Sequence, residues 1–397
     1  MVLGLITAMG PFAVDMYLPA LPLIGASLSA TANEVQASLT SFFVALAIGQ
    51  IIYGTASDLV GRKMPLYLGM GLFVLGSIGC ALAADINMLV LLRFIQGLGA
   101  SACMVIPRSV VRDLHTGNEA ARLMALLMLV FSVSPMLAPL TGSFLIEFAG
   151  WPSVFWAISV IGAAGLILLR VSLPETLPHS QRLNRNIGQI IEGYRTLFAD
   201  RHFLGLVLAG AFGMASFFVY LGNSSFVLID HYGLTPRQYS IAFALNAVSF
   251  IGSAQFTGLL TKYVSLSTLV KLAVAGFTFA NLMLVTLTLL GIDQLSVFIA
   301  LLFVGYGFLG LVIPATTVLA LDAHGPRAGS ASALMGTLQF VTGAIAMSLI
   351  GFFVDGTPTP MVTGIAISAL LSLVLAFITL SGNKHTPVSS KIQDGQI

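Results

Sequence analysis

Leu173–Arg201 reads L-P-E-T-L-P-H-S-Q-R-L-N-R-N-I-G-Q-I-I-E-G-Y-R-T-L-F-A-D-R, and it is the only long polar stretch before the C-terminal tail. Its prolines, Pro174 and Pro178, and its basic residues predict a linker, with a short amphipathic helix over Ile187–Phe198. What flanks it decides the fold. Before it, apolar runs of spanning length fall near 2–25, 35–56, 64–84, 88–110, 121–145 and 153–173. After it they resume near 203–229, 237–260, 267–291, 295–320, 328–352 and 361–381. A bilayer-crossing helix needs about 20 predominantly apolar residues. The expectation is an all-α membrane protein of twelve transmembrane helices in two six-helix bundles. Residues 1–173 form the first bundle, 174–201 the linker, 202–381 the second bundle and 382–397 a polar tail.

Composition points the same way. Hydrophobic residues make up 57% of the 397, charged residues only 8%, and mean hydropathy is +0.99. Soluble domains carry roughly 25% charged residues, so this chain lacks the polar surface that water requires. A net charge of +2 gives no reason to expect nucleic acid as a partner. Cys80 and Cys103 both lie inside apolar runs and read as small packing residues, not a disulfide. The first apolar run begins at Met1 with no basic region before it, so a cleavable signal peptide is not expected.

The 17 Lys and Arg residues orient the chain. With the N-terminus inside, 15 fall on the cytoplasmic side, from Arg62 and Lys63 through Arg108, Arg112, Arg182, Arg185 and Arg327 to Lys384 and Lys391. Only Arg237, in an outer connection, and Arg93, inside the fourth run, do not. Such asymmetry predicts a bacterial inner-membrane protein with both termini cytoplasmic.

Of 15 acidic residues, fourteen can be placed in loops, at span ends or in the tail, and Asp15 cannot. It sits in A-M-G-P-F-A-V-D-M-Y-L-P-A-L-P, well inside the first run. A carboxylate at that depth costs about 2.5–3.5 kcal/mol on insertion scales. Burial disfavours the anion, which would let Asp15 take up and release a proton near neutral pH. The plainer alternative is a structural hydrogen bond between helices. Arg93 either snorkels to the outer interface or supplies a fixed positive charge whose distance from Asp15 changes during a cycle. Pro11, Pro19 and Pro22 in the first run and Pro107 in the fourth predict bent helices.

Gly54–Lys63, G-T-A-S-D-L-V-G-R-K, lies in the turn between the second and third runs. Gly54 would allow close helix contact and Gly61 a tight turn. Asp58 can accept from helix N-terminal amides or an arginine, and Arg62 can pair with Asp58 or Asp113. With Lys63 these residues are expected to lock the cytoplasmic side closed. The stretch resembles the G-x-x-x-D-x-x-G-R-K signature of the major facilitator superfamily. Arg93–Ala100, R-F-I-Q-G-L-G-A, is similar to the superfamily's fourth-helix pattern, whose arginine is implicated in proton transfer. Ser134–Gly142, S-P-M-L-A-P-L-T-G, resembles the proline–glycine motif of antiporters through Pro135, Pro139 and Gly142, but departs from G-P-x-x-G-G at Ala138 and Thr141.

Together with D-M-Y-L-P-A-L-P at Asp15–Pro22, R-D-L at Arg112–Leu114 and L-P-E-T at Leu173–Thr176, these motifs resemble the bicyclomycin-resistance type of drug:proton antiporter. The likeness is clearer in the first half; Gly258–Val264 sits where the turn motif would repeat but lacks its acid and its Gly-Arg pair. The resemblance implies the major facilitator fold and proton-driven efflux of small hydrophobic or amphiphilic drugs such as bicyclomycin, chloramphenicol or sulfonamide-like compounds. Asp15 would carry the proton, which is the coupling ion in place of any cofactor.

Tyr17, Asn246, Tyr306 and Gln339 are candidates for the drug-binding wall, since they offer aromatic faces and amides at depth. The competing reading within transport is a facilitator or importer of a small metabolite such as a sugar. The six histidines, at 115, 179, 202, 231, 324 and 385, have no ligand spacing, which argues against a metal site or an enzyme. The sequence contains no nucleotide-binding loop, so ATP is not expected as the energy source. The expected partners are the drug and the surrounding lipid, and nothing requires more than one copy of the chain.

Overall fold

Each apolar run folds into a helix because every backbone polar group in lipid must be satisfied within its own segment. The computed structural model describes residues 2–178, 187–322, 324 and 328–381. Twelve helices there are long and apolar enough to cross a membrane. Spans 1–6 are Val2–Ser27, Ala32–Val60, Lys63–Ala81, Ile86–Leu114, Arg122–Ala149 and Pro152–Ser172. Spans 7–12 are Arg201–His231, Pro236–Leu260, Leu266–Leu289, Leu295–Asp322, Ser330–Gly351 and Thr359–Ser381. The linker helix runs over Ile187–Ala199, where its amphipathic pattern predicts one. The rest of the polar linker at 179–186, the tail from 382, and with them Arg182, Arg185, Arg327, Lys384 and Lys391, lie outside the described residues.

Short polar motifs start the helices. Thr31 and Glu34 form a reciprocal capping box on span 2, and Thr235 with Gln238 does the same on span 8. Asp85, Asp200 and Ser265 cap spans 4, 7 and 9 by accepting backbone N–H bonds. Cys80 and Cys103 are free and buried, in keeping with a packing role.

The two halves pair their helices alike. In the first, span 1 packs on spans 4, 5 and 6, span 4 on spans 2 and 3, and span 3 on span 6. In the second, span 7 packs on spans 10, 11 and 12, span 10 on spans 8 and 9, and span 9 on span 12. The bundles meet along two corresponding seams, span 2 against span 11 and span 5 against span 8. The end of the molecule that carries Arg62, Lys63, Arg108 and Arg112 is called the basic end below.

Span 1 is not one continuous helix. Its α-helical part ends at Asp15, a 3-10 turn covers Leu18–Ala20, and a second helix runs over Leu21–Ser27. Proline explains the break. Pro19 stands four residues after Asp15 and has no N–H for its carbonyl. The backbone tightens instead, with Tyr17 N–H donating to Val14 and Ala20 N–H to Tyr17.

Candidate functional site

Asp15 thus closes the α-helical part of span 1, about 20 Å along its axis from Val2. Its side chain is 5% exposed. Ser134 Oγ of span 5 donates to Asp15 Oδ2 at 3.2 Å. Eight residues on, Gly142 meets the same break in span 1, because a methyl group there would overlap the Met16 carbonyl. Between them the Pro139 carbonyl accepts from Ser240 Oγ of span 8 at 2.8 Å. One stretch of span 5, containing Pro135, Pro139 and Gly142, therefore touches the acid on one side and the second bundle on the other.

Arg93 does not snorkel. It lies seven residues into span 4 and is wholly buried. Nη1 donates to the Ala13 carbonyl at 3.0 Å and to Gln96 Oε1 at 2.6 Å, and Gln96 passes the chain on to Ser77 at 2.7 Å. The guanidinium faces the rings of Phe42 at 4.3 Å, Tyr17 at 4.6 Å and Phe155 at 5.8 Å. Arg93 and Asp15 share no hydrogen bond or ion pair in this state. What joins them is backbone: Arg93 holds the carbonyl two residues before the acid. Nε and Nη2 have no hydrogen-bond partner.

The predicted drug-wall residues separate. Tyr17 is the floor of the Arg93 cage, with its hydroxyl on Ser38 at 2.8 Å, so it packs inside the first bundle and not on a cavity wall. Asn246 and Tyr306 come together in the second bundle through Tyr220, a residue that sequence reasoning missed. Asn246 Nδ2 donates to the Tyr220 hydroxyl at 2.9 Å, and the Tyr220 and Tyr306 rings lie 5.3 Å apart. Phe243 stacks on Tyr220 at 5.6 Å. Asn246 Oδ1 is buried without a partner. Gln339 is half-buried on span 11.

At the basic end the turn motif closes on itself. Arg62 donates to Asp113 from Nε at 2.7 Å and Nη2 at 3.3 Å, and from Nη1 to Asp58 and to Ser57 at 3.0 Å. Gly61 adopts φ 105°, a conformation open to glycine and strained for other residues. Glu175, singled out in the sequence only as part of the L-P-E-T motif, accepts the Arg62 N–H at 2.8 Å and the Lys63 N–H at 3.1 Å. One expectation needs correction. Gly54 does not serve close helix contact, since a methyl group there would meet only Val105 at 4.0 Å. Arg62, Asp58 and Asp113 belong to the first bundle, and Glu175 stands at the start of the linker. Lys63 contributes its backbone N–H and sets its ammonium 5.9 Å from the Tyr67 ring.

A cleft of about 330 Å³ opens beside this cluster, between Gln50, Asp58, Arg108 and Arg112 of the first bundle and Ser330 and Ser332 of span 11. Tyr194 of the linker helix also lines it. The opposite end is closed. There Gln36 Nε2 donates to the Gly222 carbonyl at 3.0 Å and to Asn223 Oδ1 at 2.6 Å, and Ser348 Oγ donates to Thr40 at 3.1 Å. Among the described residues no group of three or more His, Cys, Asp or Glu could hold a metal ion.

Two similarly paired six-helix bundles, joined at one end and parted by a cleft at the other around a buried acid, are the build of a multi-pass membrane transporter. The chain belongs to the Major Facilitator Superfamily, whose family model matches residues 3–347. It is 37% identical over 381 residues to the "uncharacterized MFS-type transporter YdgK" of Bacillus subtilis (strain 168), covering 96% of this chain and 94% of that one. It is 28% identical over 384 residues to a bicyclomycin resistance protein homolog of Haemophilus influenzae, covering 96% of each. Among solved structures, a D-xylose-proton symporter superposes with a TM-score of 0.73 at 14% identity, covering 95% of each chain, a likeness of fold alone.

Proposed function

We propose that this protein exports small hydrophobic or amphiphilic drugs across the bacterial inner membrane in exchange for protons, with Asp15 as the proton carrier. The observation that carries the reading is the setting of Asp15. It is a buried carboxylate with one hydroxyl donor and no cationic partner, where span 1 breaks and span 5 meets the second bundle. Such an acid has little to hold it ionised, so its charge state is free to follow the conformation around it.

In the proposed cycle the basic end is cytoplasmic, and both termini lie on that side. The cleft there admits substrate while Asp15 is ionised. The bundles then rock, the Gln36–Asn223 and Ser240–Pro139 contacts part, and protonation of Asp15 from the far side accompanies release. Each charge moved down the membrane potential supplies about 2.3 kcal/mol per 100 mV, enough to concentrate a substrate tens-fold. Tyr220, Phe243 and Tyr306 pack around the unpaired Asn246 Oδ1 inside the second bundle, and an apolar ligand bearing one hydrogen-bond donor would reach it only as the bundles part. The bicyclomycin-resistance relative supports the same substrate class.

The test is reconstitution in liposomes holding a pH-sensitive dye, with candidate antibiotics added to wild type and to Asp15→Asn. Drug-dependent proton flux in the wild type and none in the variant is expected. Flux that survives the substitution would make Asp15 structural. Passive equilibration of labelled substrate without proton movement would point to a facilitator.

A further inference from the structure

Arg62 is paired twice over, and two arginines further along span 4 are not paired at all. Arg108 and Arg112 are spaced i,i+4 and share one face of that helix, where like charges repel. Both line the cleft of about 330 Å³ that parts the bundles at the basic end. Arg108 lies six residues before the end of span 4, about 9 Å inside the mouth, and Arg112 stands near the rim. Arg108 sets its guanidinium 5.3 Å from the Phe131 ring of span 5, and Arg112 Nη2 donates to Ser109 Oγ at 3.3 Å. Among the described residues neither meets an acid. Asp58, on the cleft, and Asp113, next to Arg112 in the chain, are both taken by Arg62. A cytoplasmic excess of basic residues accounts for arginines in loops and at span ends. It does not account for Arg108, which is set inside its span and turned to the space between bundles.

The facing wall belongs to the second bundle, where the helix of span 11 starts at Ala328. Ser330 and Ser332 line the cleft from its first turn and the next. The first N–H groups of a helix have no acceptor within it, and that end carries positive partial charge. Two guanidinium groups, two hydroxyls and the positive end of a helix therefore border one open space. Ile51, Val105 and Met124 give the same space apolar surface. Its volume falls within the roughly 300–1,000 Å³ of small-molecule sites.

We infer that this cleft is the entry site for a substrate carrying an anionic group, a carboxylate, sulfonate or phosphate ester, on an apolar body. Arg108 and Arg112 hold the anion by charge-assisted hydrogen bonds. Ser330 and Ser332 donate to it from the other bundle, and the apolar body lies on Ile51, Val105 and Met124. The arginine pair repels a cationic compound from the same mouth. The inference rests on the export reading above and narrows its amphiphilic substrates to anionic ones. An anion that leaves while a proton enters moves charge in one direction, so the membrane potential drives both. Because the donors come from both bundles, the bound anion favours the state in which they approach at this end.

The test is calorimetric titration of the full-length chain, in nanodiscs of phosphatidylcholine, with naphthalene-2-sulfonate and with its uncharged partner naphthalene-2-sulfonamide. Wild type should bind the sulfonate about tenfold more tightly, the scale of one charge-assisted hydrogen bond. The preference should shrink as salt screens the charges. Arg108→Gln should abolish it and Arg112→Gln weaken it, so the question stays decidable if one variant does not fold. Lys262→Gln removes a cation outside the cleft and should leave it unchanged. Equal binding of the two compounds, or a preference untouched by both arginine variants, would overturn the assignment. So would a preference lost on adding a few phosphatidylglycerol molecules per disc, since the arginines would then belong to a lipid headgroup. Binding is read without proton flux, so its failure would leave antiport through Asp15 standing, and failure of antiport would leave the binding result intact.

Discussion

Ser134 donates to Asp15 across 3.2 Å, and among the described residues this is the only hydrogen bond that the carboxylate accepts. The donor lies on the same stretch of span 5 whose Pro139 carbonyl is held by Ser240 of the second bundle. The donor to Asp15 thus lies about one and a half helical turns from the contact between bundles.

Ser134→Ala leaves the carboxylate buried with no donor, while Ser134→Thr keeps the hydroxyl. The alanine variant is expected to lower drug-driven proton flux about tenfold with normal amounts of folded protein. The threonine variant should recover most of it. Dye-loaded liposomes measure both, and equal flux in the alanine variant would remove Ser134 from the mechanism.

Arg62 is 6% exposed and binds two carboxylates. Partial burial opposes its charge, but Asp113 and Asp58 more than offset this and strengthen its hold on the proton. Asp58 is partly exposed, so removing Arg62 costs less than the roughly 3–5 kcal/mol of a fully buried pair. Arg62→Ala should still lower thermal stability measurably. Since both carboxylates are in the first bundle, distances between spin labels on the two bundles should not change; a large shift would mean that the cluster also locks the cytoplasmic side.

Glu175 gives a pH dependence with a definite sign. Partial burial works against its anion, yet the backbone N–H groups of Arg62, Leu177, Lys63 and Thr176 outweigh it and hold its carboxyl below the usual glutamate range. A folded-state value below the unfolded one contributes stability above about pH 4.3, lost as pH falls through the folded value. Glu175→Gln should therefore lower the melting temperature slightly at pH 7, by roughly 1–2 °C. Wild type and variant should converge once pH falls below the folded value, which lies under the ordinary glutamate range. Melting curves at the two pH values decide it.

Gln36→Ala removes two buried hydrogen bonds between bundles, worth about 2 kcal/mol together. That is enough to shift the balance between closed and open states roughly thirtyfold. Accessibility of a cysteine placed at Ser225, which is buried beside this contact, should rise from the end opposite the basic one. Unchanged labelling would mean that other contacts hold this end shut.

Much of this was legible in one dimension. A run of about 20 apolar residues is a local property, so all twelve spans and the linker helix were readable. The pairing of Arg62 with Asp58 follows from four-residue spacing on a helix end, and Asp15 stands out because nothing else acidic lies so deep. The role of Glu175 was missed because its partners Arg62 and Lys63 are more than a hundred residues away in the chain. Ser134, Tyr220 and the Gln36–Asn223 contact were missed for a like reason. Serines, tyrosines and amides are common in transmembrane helices, and nothing local says which of them meet.

By itself, the sequence determined the number of spans, their grouping into two sets of six and the break in span 1, since Pro19 denies Asp15's carbonyl its donor wherever that helix packs. Only the tertiary structure decided what the buried charges touch. Arg93 binds the Ala13 carbonyl and an aromatic cage, not Asp15. The Arg62 cluster stays within one bundle, and Gly54 faces a cleft while Gly142 faces a neighbouring backbone. The physical reason is that helix periodicity sets which side chains share a face. The partner of that face is set by how twelve such faces pack at once.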